Sequence, residues 1–229
     1  MPRSRKETAI LPERDPCEYR ADCTLCPRLA AFLAQAKRSY PDYWCRPVPP
    51  FGDANARLVI VGLAPGLHGA NASGRPFTGD HAGILLYRTL YEYGYGSLPV
   101  SRDRDDGLVL SDCRITNAAK CVPPENKPLP VEVATCNRYL RAELATLPSK
   151  AAVLALGRIA HDAALFALGQ RRSAFAFAHG AAHRLRENVV LFDSYHCSRY
   201  NTNTGRLTPR MFTEVFDAIA AHLGRAGRH

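Results

Sequence analysis

No stretch of the 229 residues stays apolar for the roughly 18 positions a membrane-spanning helix needs, which excludes a membrane partner of that kind. The opening M-P-R-S-R-K-E-T-A-I-L-P-E-R-D-P has no apolar core of the kind a secretory signal carries. A cytoplasmic location is therefore expected. Thiols stay reduced there, so the eight cysteines point to metal binding more than to disulfides. Lysine is scarce as well: of 30 basic side chains, 25 are arginine. With only 21 acidic residues the formal charge is +9, and guanidinium forks suit phosphate. The familiar phosphate loops are missing, since neither G-K-S/T nor G-x-G-x-x-G follows a strand.

Four of the cysteines have a telling spacing. Cys23 and Cys26 form a C-x2-C pair, and Cys121 and Cys136 lie far downstream. Four thiolates meeting in a folded chain suit a 4Fe-4S cluster, with a structural zinc as the alternative. Cys17, Cys45, Cys113 and Cys197 are left as free thiols.

With 46% hydrophobic residues the chain can bury a sizeable core. Short apolar runs at residues 58–63, 113–118, 151–156 and 189–195 have the character of buried strands. Helical periodicity covers residues 82–93, 131–147, 158–168 and 209–223. The alternation predicts an α/β fold of three α/β/α layers around a central four-stranded, mainly parallel sheet. One domain is expected over residues 17–224, between flexible tails at 1–16 and 225–229. Ligands in such folds bind beyond the carboxyl ends of the strands, and three strands run there into distinctive loops. These are G-L-A-P-G-L-H-G-A-N-A-S-G-R-P-F-T-G-D (62–80), T-N-A-A-K-C-V-P-P (116–124) and S-Y-H-C-S-R-Y-N-T-N-T-G-R-L-T (194–208).

Together these loops and the cysteine spacing resemble the iron–sulfur uracil-DNA glycosylases, family 5 branch, over residues 22 to 223. The resemblance implies a monofunctional repair hydrolase that removes uracil, and also hypoxanthine or other deaminated bases, from DNA. It would flip the nucleotide out, leave an abasic site and form no covalent lysine intermediate. It also implies a structural 4Fe-4S cluster on Cys23, Cys26, Cys121 and Cys136, and a cytoplasmic, nucleoid-associated protein; a monomer is the default expectation. By the same resemblance Phe77 stacks on the base, Asn117 reads its polar edge, and His196 donates to the departing base. Gly62 and Ala64 line the base pocket, and Ser198, Arg199 and Tyr200 tip a segment that enters the minor groove.

The first loop departs from the better-known branch. Where family 1 enzymes carry G-Q-D-P-Y, this chain has Leu63 and Ala64, so the usual water-orienting aspartate is absent. His68, Asn71 and Asp80 remain as partners for the water, with Asp80 preferred because a carboxylate also stabilises a cationic sugar. The alternatives are that Asp80 only caps the following helix, or that a dissociative reaction needs no base. His68, His81, His161, His179 and His183 are otherwise expected to be ordinary surface or helix histidines. Arg28, Lys120 and Lys127 lie near the thiols in sequence and are candidate phosphate contacts. The rival reading is a non-catalytic DNA-binding module with a four-cysteine metal site and a degenerate pocket.

Overall fold

The computed structural model describes residues 18–186 and 188–227. Cys17 and the N-terminal tail expected at 1–16 lie outside the described residues. Among the described residues six strands form one sheet: β1 (Phe51–Gly52), β2 (Leu58–Gly62), β3 (Cys113–Asn117), β4 (Ala151–Leu156), β5 (Ala182–Arg186) and β6 (Val189–Ser194). Their order is β1-β3-β2-β4-β6-β5, with β3, β2, β4 and β6 parallel and the two edge strands antiparallel. The four expected strands are thus the parallel core, and the expected count of four is corrected to six. Both added strands escape an apolar-run criterion. β1 is two residues long, and β5 reads A-H-R-L-R with no apolar run.

Strand alternation sends neighbouring residues to opposite faces. Leu58, Ile60, Ile115 and Leu154 pack with Leu86, Leu90, Phe212 and Phe216 from α3 (His81–Glu92) and α7 (Pro209–Leu223). Val59, Val61, Val153 and Leu191 face the other way, against Leu140 and Ala164 of α4 (Pro130–Ala145) and α5 (Arg158–Ala167). These are the three expected layers. α1 (Pro27–Ser39) starts on a proline and carries Lys37 and Arg38 in its last turn, as the helix dipole favours, and packs Leu29 and Leu33 against Cys121 and Val122. Two short helices, α2 (Ala70–Ser73) and α6 (Arg199–Asn203), lie inside the first and last loops. α1, α2 and α6 were not expected from periodicity.

Residue 225 is not part of a loose tail. Arg225 pairs with Asp112 at 2.9 Å and lies 4.4 Å over the Tyr95 ring. Among the described residues no helix is long and apolar enough to cross a membrane.

Candidate active site

The first loop leaves β2 at Gly62, and only glycine fits there. A Cβ at Gly62 would lie 2.3 Å from Asn117 Oδ1 and 2.7 Å from Phe77 Cζ. The bare backbone therefore lets the two side chains close over the strand end. Phe77 itself sits in left-handed backbone (φ 58°), which costs energy in a bulky residue and needs support from its surroundings. Its carbonyl packs where a Cβ on Gly83 of α3 would come within 1.9 Å. On either side the R-P-F-T motif is clamped. The buried Arg75 guanidinium donates to Asp106 (2.7 Å), Ser101 (2.9 Å) and the Arg104 carbonyl (2.5 Å), and Tyr87 Oη donates to the Pro76 carbonyl (2.6 Å). Thr78 and Ser101 share a hydroxyl contact of 2.6 Å.

Around Phe77 the three loops converge on a cleft of about 770 Å³. Its lining includes Leu63, Ala64, Phe77, Asp80, Asn117, His196, Ser198 and Arg199. Asn117 ends β3, buried, opposite Gly62 in parallel register. His196 stacks against Phe77 with ring centroids 5.8 Å apart and planes 24° apart. Asn201 Nδ2 donates to the His196 carbonyl at 2.8 Å and fixes the loop behind it. Burial lowers the His196 pKa to about 4, so the imidazole is neutral at physiological pH.

Asp80 stands at the N-cap of α3 but makes no side-chain cap bond. Its carboxylate turns instead into the first loop, where Ala70 N–H donates to Oδ2 at 3.2 Å. The glycines of that turn make the space: a Cβ on Gly69 would fall 1.9 Å from Asp80 Cγ, and one on Gly66 2.6 Å from Oδ1. Burial raises the carboxyl above its usual range, against the lowering pull of the Ala70 and Gly66 amides. His68 shares the cleft and bonds Tyr43 Oη through Nδ1 at 3.1 Å. Asn71 does not reach it: fully buried, Asn71 donates to Cys45 Sγ (3.4 Å) and the Leu67 carbonyl (3.3 Å), so it is corrected from water partner to loop brace.

The family model of the Uracil DNA glycosylase superfamily matches residues 49–220. A "Type-5 uracil-DNA glycosylase" of Thermus thermophilus is 50% identical over 198 residues, covering 84% of this chain and 90% of the relative. One of the same description from Pyrobaculum aerophilum is 44% identical over 207 residues, with 89% and 90% covered. A "Type-4 uracil-DNA glycosylase" of Archaeoglobus fulgidus matches less, 37% over 114 residues, about half of each chain. The chain belongs to the type-5 uracil-DNA glycosylases. It is thereby a hydrolase of N-glycosyl bonds.

At the rim of the glycosylase cleft, the expected groove-entering tip is a helix start. Ser198 Oγ caps α6 by accepting from Asn201 N–H at 3.4 Å, Arg199 lines the cleft, and Tyr200 is 70% exposed. His81 joins this rim to α3, with Nε2 3.0 Å from Thr202 Oγ1. That contact between distant loops carried no sequence signal.

Elsewhere the four spaced cysteines of the glycosylase line one small cavity with Leu29, Pro47, Lys120 and Tyr139. Burial, and then the nearness of Cys136, Cys23 and Cys26, push the Cys121 thiol far above its usual range. Thiolates so placed need a shared cation. The donor set therefore fits a thiolate-bound metal group. A tetrahedral zinc with Zn–S bonds near 2.3 Å holds its sulfurs about 3.8 Å apart. Yet among the described residues the only three or more potential ligand side chains with atoms within 4.8 Å of one another are His161, His183 and Asp193. The four thiols form no group that tight.

Two of the three phosphate candidates are otherwise engaged. Lys120 is buried, bonded to Thr116 Oγ1 and, at 2.6 Å, to Glu143. Arg28 forks onto both oxygens of Glu132 at 2.7 Å. Lys127 is exposed beside Glu125. Of the histidines taken as ordinary, His161 proves buried and joined through Asp193 to His183, an arrangement that only the fold assembles.

Proposed function

We propose that the protein removes uracil from DNA by hydrolysing its N-glycosidic bond, with the nucleotide flipped out of the helix into the 770 Å³ cleft. The observation that carries this reading is the convergence of Phe77, Asn117, His196 and Asp80 from three separate loops on that cleft. Phe77 offers a face for the base, and the Asn117 amide offers both a donor and an acceptor to its edge. Bond breaking leaves negative charge on the base and positive charge on the sugar. The neutral His196 imidazole donates to the base as that charge grows, in the manner of an oxyanion-hole donor. Asp80, desolvated and held by the loop amides, faces the cationic sugar and holds the attacking water. Its burial strengthens both interactions.

Among the described residues no lysine lines the cleft, and buried Lys120 is committed to Glu143, which supports a monofunctional reaction that leaves an abasic site. Leu63 and Ala64 give the cleft a neutral wall and room beyond a pyrimidine, which supports hypoxanthine as a second substrate. Arg199 and Tyr200 at the rim suit phosphate and the stacking vacated by the flipped base. Cys23, Cys26, Cys121 and Cys136 would hold a 4Fe-4S cluster, which supplies a cross-link between the start of α1 and the segment from β3 to α4.

The test is base release from uracil- and hypoxanthine-containing duplexes, read after alkaline scission, for wild type, His196→Ala and Asp80→Asn. Wild type should cut both duplexes. Loss of one donor should slow cleavage on the order of 10²–10³-fold. Binding of the duplexes without base release would overturn the catalytic reading in favour of a DNA-binding module.

A further inference from the structure

We infer that His161, His183 and Asp193 form a site for one divalent metal ion of the zinc class, apart from the cleft and the thiols. They come from α5, β5 and β6, and their ligand atoms lie within 4.8 Å of one another. Asp193 is fully buried, with Oδ1 2.8 Å from His161 Nδ1 and Oδ2 3.0 Å from His183 Nε2. A carboxylate without water needs a positive partner.

The hydrogen bonds show where that charge belongs. His161 Nε2 lies 3.0 Å from the Phe175 carbonyl, an acceptor only, so Nε2 carries the ring proton. Nδ1 then faces the Asp193 carboxylate, and the two can share either a proton or, in place of that proton, a metal ion. A backbone carbonyl on the distal nitrogen is also how metal-binding imidazoles are oriented. Two imidazoles and one carboxylate suit zinc or its neighbours, and calcium or magnesium would prefer oxygens. Rings shield the group: Phe177 lies 5.6 Å from His161 and Phe175 5.7 Å from His183, both edge-on. If His161 starts as imidazolium, the ion takes the place of its Nδ1 proton, which leaves to solvent; the ligands keep their remaining protons and no redox change occurs.

Such an ion would lock the end of β6, three residues before His196, to α5 and the edge strand. The inference does not depend on the proposed substrate.

The experiment uses the full-length protein with its thiol site as purified, dialysed against a chelator and then titrated with zinc by calorimetry. Zinc-edge X-ray absorption and thermal melting complete it. The expected result is one equivalent bound, a shell of nitrogen and oxygen near 2.0–2.1 Å without sulfur near 2.3 Å, and a raised melting point. His183→Gln keeps a donor for Asp193 and removes the ligand nitrogen, so it should fold while binding zinc about 100-fold more weakly. No saturable binding, a sulfur-containing shell, or equal binding by His183→Gln would each overturn the inference.

Discussion

Gly62→Ala tests the proposed site through its packing, without touching any reacting group. The new methyl would stand 2.3 Å from Asn117 Oδ1 and 2.7 and 2.8 Å from two Phe77 ring atoms, where ordinary contact begins at 3.4 Å. Asn117 ends a central strand and Phe77 is clamped through its neighbours, so neither yields cheaply. A displacement of about 1 Å of groups that hold the base should cost roughly 100-fold in kcat/KM. That is about 2.7 kcal/mol of transition-state stabilisation. Overpacking should also lower stability by about 1–3 kcal/mol. Single-turnover uracil release measures the first quantity and melting by circular dichroism the second. Asn117→Ala removes one of the two obstacles, so Gly62→Ala should cost much less in that background. An unchanged rate, or full additivity of the two changes, would refute the claim that the glycine exists to bring Asn117 and Phe77 together.

The wild-type rate should show no gain from His196 protonation between pH 8 and 6, because burial holds its pKa near 4; a rate that climbs on acidification would mean an imidazolium donor. Folding feels the same group: between its ordinary value of 6.5 and about 4 the unfolded chain binds the extra proton, so stability should fall as the pH is lowered through that window. Arg75→Ala removes the ion-pair partner of Asp106 while the Arg102 and Leu108 amides remain on the carboxylate, which should cost about 1.5–3 kcal/mol, measured as a lowered melting point. Despite its burial, Asp106 is held to about 2 by Arg75 and by the Leu108 and Arg102 amides, so this pair's contribution should persist above pH 4 and vanish towards pH 2. Cys136→Ala should lose an iron content of about four per chain and loosen α1; one zinc per chain in wild type would contradict the cluster.

What was legible in the sequence followed from burial and local chemistry. Strands β2 and β4 are apolar throughout because both their faces are covered, and the glycine-rich loop, Asn117 and His196 sit where strand ends must present them. What was illegible depends on long-range pairing. Edge strand β5 has no apolar run, and α6 is hidden in a polar loop whose only cue is Ser198 before it. Asn71 looked like a cleft residue by proximity, and the turn of α2 carries it inward. Lys120 looked like a phosphate contact until the fold brought Glu143 to it across 23 positions. Nothing local marks His161, because Asp193 lies 32 residues away.

The arrangement also accounts for doing without an aspartate at position 64. A carboxylate there would extend from the strand-end wall beside Asn117 and Phe77, close to a base that is becoming an anion. Asp80 comes instead from the far end of the loop, and Gly66 and Gly69 fold that loop back so that its amides hold the carboxylate. In the proposed reaction negative charge would thereby be kept away from the base, which would meet only neutral donors, Asn117 and the unprotonated His196. It would be placed where the sugar becomes cationic. Because these dipoles are fixed before the substrate enters, little reorganisation accompanies bond breaking. The glycines at 62, 66 and 69 thus set the distances on which that charge separation would depend.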